Sequence, residues 1–259
     1  MIVMKFGGTS IGDAAAIRRT ISIITKKMRS KPVVVVSACA GVTNLLHQLV
    51  DFTEQGEKEQ SEQIISSIRD RHKSTIDELT SYIDPKRPTP DTTDINQKVD
   101  TLCNALQTLS RAHMGGQIPD VDKAYMISLG EYLSSNIVGF MMNALGLKTA
   151  WVDARHFMIT SKDYMCASAD IPEVTKRAPA VIERAFKNAD VVITQGFMGV
   201  TIEGDPTIMG RGSSDYSASL LGMVLDADRI EIWTDVDGIC TADPNIVPEA
   251  NGISKLSYE

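Results

Sequence analysis

Two short runs of apolar, largely β-branched residues, 2–6 and 33–37, flank a stretch where Ala16, Ile17, Ile21, Ile24 and Met28 recur at helical spacing behind Asp13, a capping residue type. This order predicts a β-α-β unit. Val33 to Val36 run unbroken instead of alternating with polar residues, as a strand covered on both faces requires. A second strand-to-turn passage, Ser37-Ala38-Cys39-Ala40-Gly41-Val42-Thr43-Asn44, opens another helix and places two loops at the carboxyl ends of neighbouring strands. From 57 to 116 the pattern changes to charged amphipathic helices (Ile64, Ile65, Ile68, Ile76, Leu79; then Val99, Leu102, Leu106, Leu109), broken at Asp84-Pro85 and Pro88-Thr89-Pro90. This segment reads as a helical insertion covering the first half of the domain. A further helix at 121–145 carries Glu131. Strand signals return at 149–152, 191–194 and 230–234, with helices at 172–188 and 214–225. With no internal repeat, the pattern predicts one αβα domain around a parallel sheet.

Composition narrows the partners. The 259 residues are 43% hydrophobic and 23% charged, an ordinary globular balance. The net charge of −7 repels nucleic acid and anionic lipid over most of the surface, so an anionic ligand needs a local basic pocket. Cys39, Cys103, Cys166 and Cys240 are scattered, without CxxC pairs or a nearby histidine at metal spacing, which points to neither a zinc site nor a disulfide scaffold. No apolar run approaches the roughly 18 residues of a membrane span, and the first residues lack the apolar block of a signal peptide. A cytoplasmic location is the expectation.

The candidate chemistry lies in two glycine-rich segments. Lys5 at the end of the first strand precedes Gly7-Gly8-Thr9-Ser10, and far downstream comes Gly210-Arg211-Gly212-Ser213-Ser214-Asp215. Glycines leave backbone N–H groups bare for an anion, and a lysine at a strand tip neutralises phosphate oxygens. Arg211, between glycines, is shaped for a bidentate grip on a carboxylate. Asp215 reads either as a first-turn acid complementing the helix dipole or as a group orienting lysine or magnesium. Thr234-Asp235-Val236-Asp237-Gly238 reads equally as a ligand loop or a plain turn. By residue type alone, Glu131 is a helix former on a solvated face. His47, His72, His113 and His156 match no catalytic pattern. P-loop, protein-kinase and dinucleotide-binding motifs are absent.

In order, Lys5-Phe6-Gly7-Gly8-Thr9-Ser10, Ser37-Ala38 with Gly41-Val42-Thr43-Asn44, Ser128-Leu129-Gly130-Glu131, Gly196-Phe197, Gly210-Arg211-Gly212 with Ser214-Asp215-Tyr216-Ser217-Ala218, and Trp233-Thr234-Asp235-Val236-Asp237-Gly238 resemble the aspartate kinase catalytic domain of the amino-acid kinase family. The resemblance implies a three-layer αβα sandwich with a mostly parallel sheet. It also implies transfer of the ATP γ-phosphoryl group to the side-chain carboxylate of L-aspartate, the first step of lysine, threonine and methionine biosynthesis. Carried over residue by residue, it gives Lys5 and Asp215 catalytic roles, with Asp215 positioning the lysine. Arg211 would grip the substrate α-carboxylate and Glu131 its amine, with Ser37, Thr43 and Phe197 lining the acceptor side. Lys5, Gly7, Gly8, Thr9, Ser10, Thr234, Asp235, Cys240 and Pro244 would hold ATP with Mg²⁺. The substrate half would occupy about 1–150 and an incomplete nucleotide half about 151–259, with no regulatory domain; self-association is left open.

The pattern departs from the family at Ser213, usually glycine, and at Cys240-Thr241-Ala242-Asp243-Pro244-Asn245, where a tyrosine and an arginine are usual. The sequence ends at Leu256-Ser257-Tyr258-Glu259, ahead of the family's second phosphate-binding lysine, and the expectation is a truncated or short form. The alternatives are a nucleotide- or aspartate-binding fragment with little activity, or a related enzyme with another acceptor.

Overall fold

The first apolar run forms β1 (Ile2–Phe6), and it lies parallel to β2 (Pro32–Val36) with Lys5 opposite Val35. Between them α1 (Ala14–Lys26) starts where Asp13 caps it, its carboxylate accepting from the Ala16 N–H at 2.7 Å. The computed structural model describes residues 1–210, 212–236, 238–243 and 246–257. After β2 come α2 (Val42–Gln55), α3 (Lys58–Ser81), α4 (Thr93–Ala112) and α5 (Asp120–Ala144). The segment 57–116, expected as a helical insertion, contains the two long helices α3 and α4.

The rest of the chain gives β3 (Thr149–Trp151), α6 (Ile171–Phe186), β4 (Val191–Gln195), β5 (Met198–Val200), β6 (Pro206–Ile208), α7 (Ser213–Val224) and β7 (Arg229–Trp233). Five strands make one sheet in the order β3-β4-β2-β1-β7, parallel throughout, while β5 and β6 form a separate antiparallel pair. All residues of β1, β2 and β4 are buried, which accounts for the unbroken apolar sequence of β2 and the largely apolar sequences of β1 and β4. α7 packs on β1, β2 and β7 and α6 on β4, while α5 covers β2, β3 and β4, giving the αβα arrangement.

Register sets the position of the site. Phe6 stands level with Val36 and with Trp233, and Val36 with Gln195. The residues that follow each strand, Gly7, Ser37, Gly196 and Thr234, therefore emerge at one edge of the sheet, where parallel α/β folds bind ligands. Among the described residues, no helix is long and apolar enough to cross a membrane.

Candidate active site

Lys5 is the penultimate residue of β1 and is only 8% exposed. Its Nζ lies 2.6 Å from Asp215 Oδ1 in the first turn of α7, and the aspartate side chain is about half exposed. An ammonium has three donors, so this ion pair leaves two for an incoming anion. Next along the chain, Gly8 sits so close to the second loop that a Cβ there would stand 2.9 Å from the Ala38 carbonyl oxygen. The Ala40 N–H donates to the Gly8 carbonyl at 3.1 Å, which closes the contact between the two loops. Gly41, at φ +80°, turns the chain into α2 and brings Thr43 and Asn44 to the site. Arg71, from α3, clamps the first loop from outside by donating to the Gly12 carbonyl at 2.9 Å.

The opposite wall comes from α5 and α7. Glu131 is 3% exposed, because α5 is enclosed by protein on nearly every side. The solvated-face reading of this residue is thereby overturned. Ser214 Oγ donates to Glu131 Oε1 at 2.9 Å, whereas the buried Oε2 has no hydrogen-bond partner among the described residues. Burial pushes the carboxyl up to about 8, against the opposing pull of Ser214, the positive Lys5 and the nearby amides of Ala38 and Gly196. Gly196 makes the arrangement sterically feasible: a Cβ there would lie 2.7 Å from Ser214 Cβ. Phe197 follows with φ +56°, a left-handed conformation that a bulky side chain rarely adopts.

These groups enclose a recess of ≈ 270 Å³ lined by Lys5, Gly8, Ser37, Thr43, Glu131, Phe197 and Ser214, together with Ala38 to Gly41, Asn44 and Gly212. It therefore unites four sequence-predicted residues, Ser37, Thr43, Glu131 and Phe197, with Lys5 and Gly8. Thr9, Ser10, Thr234 and Asp235 lie instead in a second recess of ≈ 270 Å³, with Phe6, Trp233 and Arg19. The Gly7 N–H donates to the Trp233 carbonyl at 3.1 Å. Cys240 lines neither recess. Arg211 and Pro244 lie outside the described residues; of the arginine's flanks, Gly210 and Gly212 have φ +83° and +80°. Sequence reasoning missed Ser214 as a partner of Glu131, and also Arg19 and Arg71. Ser214 carried a usable signal, since its position beside Asp215 at a helix start is where a hydroxyl can face a ligand. The two arginines carried none, because their partners are distant in sequence.

A basic group and a buried acid sharing one recess suit a ligand bearing both charges. The model of the amino acid kinase family matches residues 1–259. An aspartokinase of Chlamydia muridarum (strain MoPn / Nigg) is 32% identical over 258 residues, covering 100% of this chain and 53% of that protein. The lysine-sensitive aspartokinase 3 of Escherichia coli (strain K12) is also 32% identical over 258 residues, covering 100% of this chain and 54% of the relative. The crystal structure of E. coli aspartokinase III with aspartate and ADP superposes with a TM-score of 0.86 at 31% identity, covering 98% of this chain and 53% of the other. This chain thus spans about half the length of the curated relatives it matches.

Proposed function

The chain belongs to the amino acid kinase family, and from that premise we propose that it carries the catalytic unit of an aspartate kinase, moving the γ-phosphoryl group of ATP to the side-chain carboxylate of L-aspartate. The observation that carries this reading is Oε2 of Glu131, buried in the recess it shares with Lys5 and without a hydrogen-bond partner among the described residues. A buried acid lacking a partner is costly unless a ligand completes it, and an α-ammonium supplies both the charge and the donors. The named aspartate and ADP ligands of the E. coli neighbour support the same pair of substrates.

In this reading the acceptor lies against Ser37, Thr43, Glu131 and Phe197, with Arg211 on its α-carboxylate. The nucleotide lies toward Gly7, Gly8, Thr9, Ser10, Thr234 and Asp235, with Cys240 and Pro244 following, and Lys5 stands between the two substrates. Two like charges 4 Å apart repel by roughly 1 kcal/mol in water and about 4 at an effective dielectric of 20, so a cation between them is the first requirement of the reaction. An oxygen of the acceptor carboxylate attacks the γ-phosphorus, the bond to the bridging oxygen of ADP breaks, and 4-phospho-L-aspartate and ADP form. The attacking carboxylate is already ionised at neutral pH, so the protein needs no general base; its work is positioning and charge neutralisation.

No group of three His, Cys, Asp or Glu converges among the described residues. The donor set fits magnesium carried by nucleotide phosphates, with Asp215 as the carboxylate available to it or to its water. Bound there, the ion would supply further positive charge to the phosphates.

The test is hydroxylamine trapping, because an acyl phosphate reacts with hydroxylamine to give a hydroxamate. With ATP, magnesium and L-aspartate the purified chain should produce aspartyl hydroxamate and ADP in equal amounts. ADP release without aspartate-dependent hydroxamate would overturn the assignment.

A further inference from the structure

Far along α1 from the phosphate loop, the C-terminal parts of α1, α3 and α5 meet around a recess of ≈ 470 Å³. Its floor is apolar and buried: Ile21, Leu79, Ile83 and Met141 are all less than 9% exposed. Its rim is polar and exposed, with Arg18, Ser22, Thr25 and Lys26 from successive turns of α1. It shares no lining residue with either recess at the sheet edge.

We propose that this recess binds a small amphipathic carboxylate, its charged head held by Arg18 and Lys26 and its aromatic or branched tail seated over Leu79, Ile83 and Met141. Three observations support the site. Its volume is within the usual range of small-molecule pockets, about 300–1,000 Å³. The Arg18 guanidinium carbon lies 3.9 Å from the centroid of the Tyr82 ring, so one face of the cation is fixed on the aromatic ring while its N–H edge stays available to an oxyanion. Neither Arg18 nor Lys26 is paired with a carboxylate among the described residues, although the whole chain carries a net charge of −7.

The competing reason for cations here is the convergence of helix C-termini, each worth about half a negative charge. That demand is partly met elsewhere, since Arg87 Nη1 donates to the Leu145 carbonyl at 2.9 Å. It also gives no reason for an apolar hollow beneath the cations.

Titration of the 259-residue chain with 2-naphthoate, and with the neutral 2-naphthalenemethanol, tests the proposal by ligand-detected NMR or fluorescence. Saturable naphthoate binding with a Kd of about 1 mM or tighter is expected, at least about tenfold tighter than the alcohol. The double variant Arg18→Gln, Lys26→Gln should abolish that preference, and Ser22→Trp, which fills the recess from its exposed rim, should remove binding of both probes. Saturating ATP and L-aspartate should not displace the probe. Equal binding of acid and alcohol would overturn the charged-head assignment; undiminished binding to Ser22→Trp, or no saturation below about 10 mM, would overturn the site.

Discussion

Ser214 Oγ donates a 2.9 Å hydrogen bond to Glu131 Oε1 across 83 residues of sequence. The bond fixes one oxygen of a buried carboxyl with a hydroxyl from the first turn of α7, while the other oxygen has no partner among the described residues. The same turn carries Asp215, which holds Lys5. One helix start thus positions both the acid and the cation of the recess, so whatever displaces that turn should disturb both substrates.

Protonation of Glu131 gives the first prediction. Its carboxyl titrates near 8 in the folded chain against an ordinary 4.5, so at pH 7 the free protein holds the proton. A ligand ammonium favours the carboxylate, and binding should expel that proton. Below pH 8, aspartate affinity should therefore rise with pH, by up to about tenfold per unit. For folding the sign is opposite: between about 4.5 and about 8 the native state binds more protons than the unfolded one, so this group's contribution to stability declines as pH rises. Calorimetry of aspartate binding at pH 7 in two buffers of different ionisation heat should detect close to one proton released. Glu131→Gln should bind aspartate more weakly and release none, and zero release by the unaltered chain would refute the ammonium-to-Glu131 assignment.

Lys5→Met keeps much of the side-chain volume and removes the charge between the two anions. Turnover should fall by about 10³-fold, the scale of losing one preorganised electrostatic contact. Stability should change by no more than about 1 kcal/mol, since the half-exposed Asp215 partner is hydrated once freed. Steady-state kinetics and urea denaturation measure the two effects; retained turnover would remove Lys5 from the mechanism.

Gly196→Ala tests the packing that brings α7 to α5. The added carbon would stand 2.7 Å from Ser214 Cβ and 2.8 Å from its Cα, and a backbone atom has nowhere cheap to go. A stability loss of about 1–3 kcal/mol is expected, with a raised KM for aspartate because Ser214 draws away from Glu131. Gly252→Ala is the control, with no atom within 4 Å of the added carbon. If both variants behave alike, close approach is not the reason for glycine at 196.

Elements with a strong burial pattern were legible in the sequence. β1, β2 and β4 announce themselves because burial on both faces favours largely apolar runs, and α1 because Asp13 caps a regular stripe. The β5–β6 pair was not legible: each strand has three residues, too few for a period. Lys5 and Gly8 were readable as part of a local motif. Glu131 was not readable from its own spacing, because the burial of α5 is decided by what packs around it. The helical stretch 57–116 read as a cover, and only the fold brings Arg71 of α3 to Gly12.

Arg71→Ala should loosen the loop that carries Gly8 without touching either ligand. It removes a charged donor from the Gly12 carbonyl, leaving that carbonyl to water. KM for ATP should rise several-fold with little change in the melting temperature, and Arg71→Lys should restore part of the effect. An unaltered KM would reduce the contact to a surface detail.

His72 offers a stability prediction independent of the active site. It is 1% exposed on α3, its Nδ1 pairs with the Ile68 carbonyl at 2.6 Å, and its Nε2 is buried with no partner among the described residues. Burial, with a smaller contribution from Arg71, lowers its pKa to about 4 from the ordinary 6.5, while the Ile68 carbonyl pulls the other way. Between those values the unfolded chain binds the proton and the native chain does not, so stability falls as pH drops from 6.5 toward 4, by on the order of 3 kcal/mol at most from this residue. His72→Leu removes the titrating group and the unpartnered nitrogen together. Urea denaturation of both proteins at pH 7 and pH 4.5 cancels the carboxylates they share, and the parent should lose about 2–3 kcal/mol more than the variant on acidification. Equal losses would mean that His72 is charged in the folded chain, which would require an acceptor or water at Nε2.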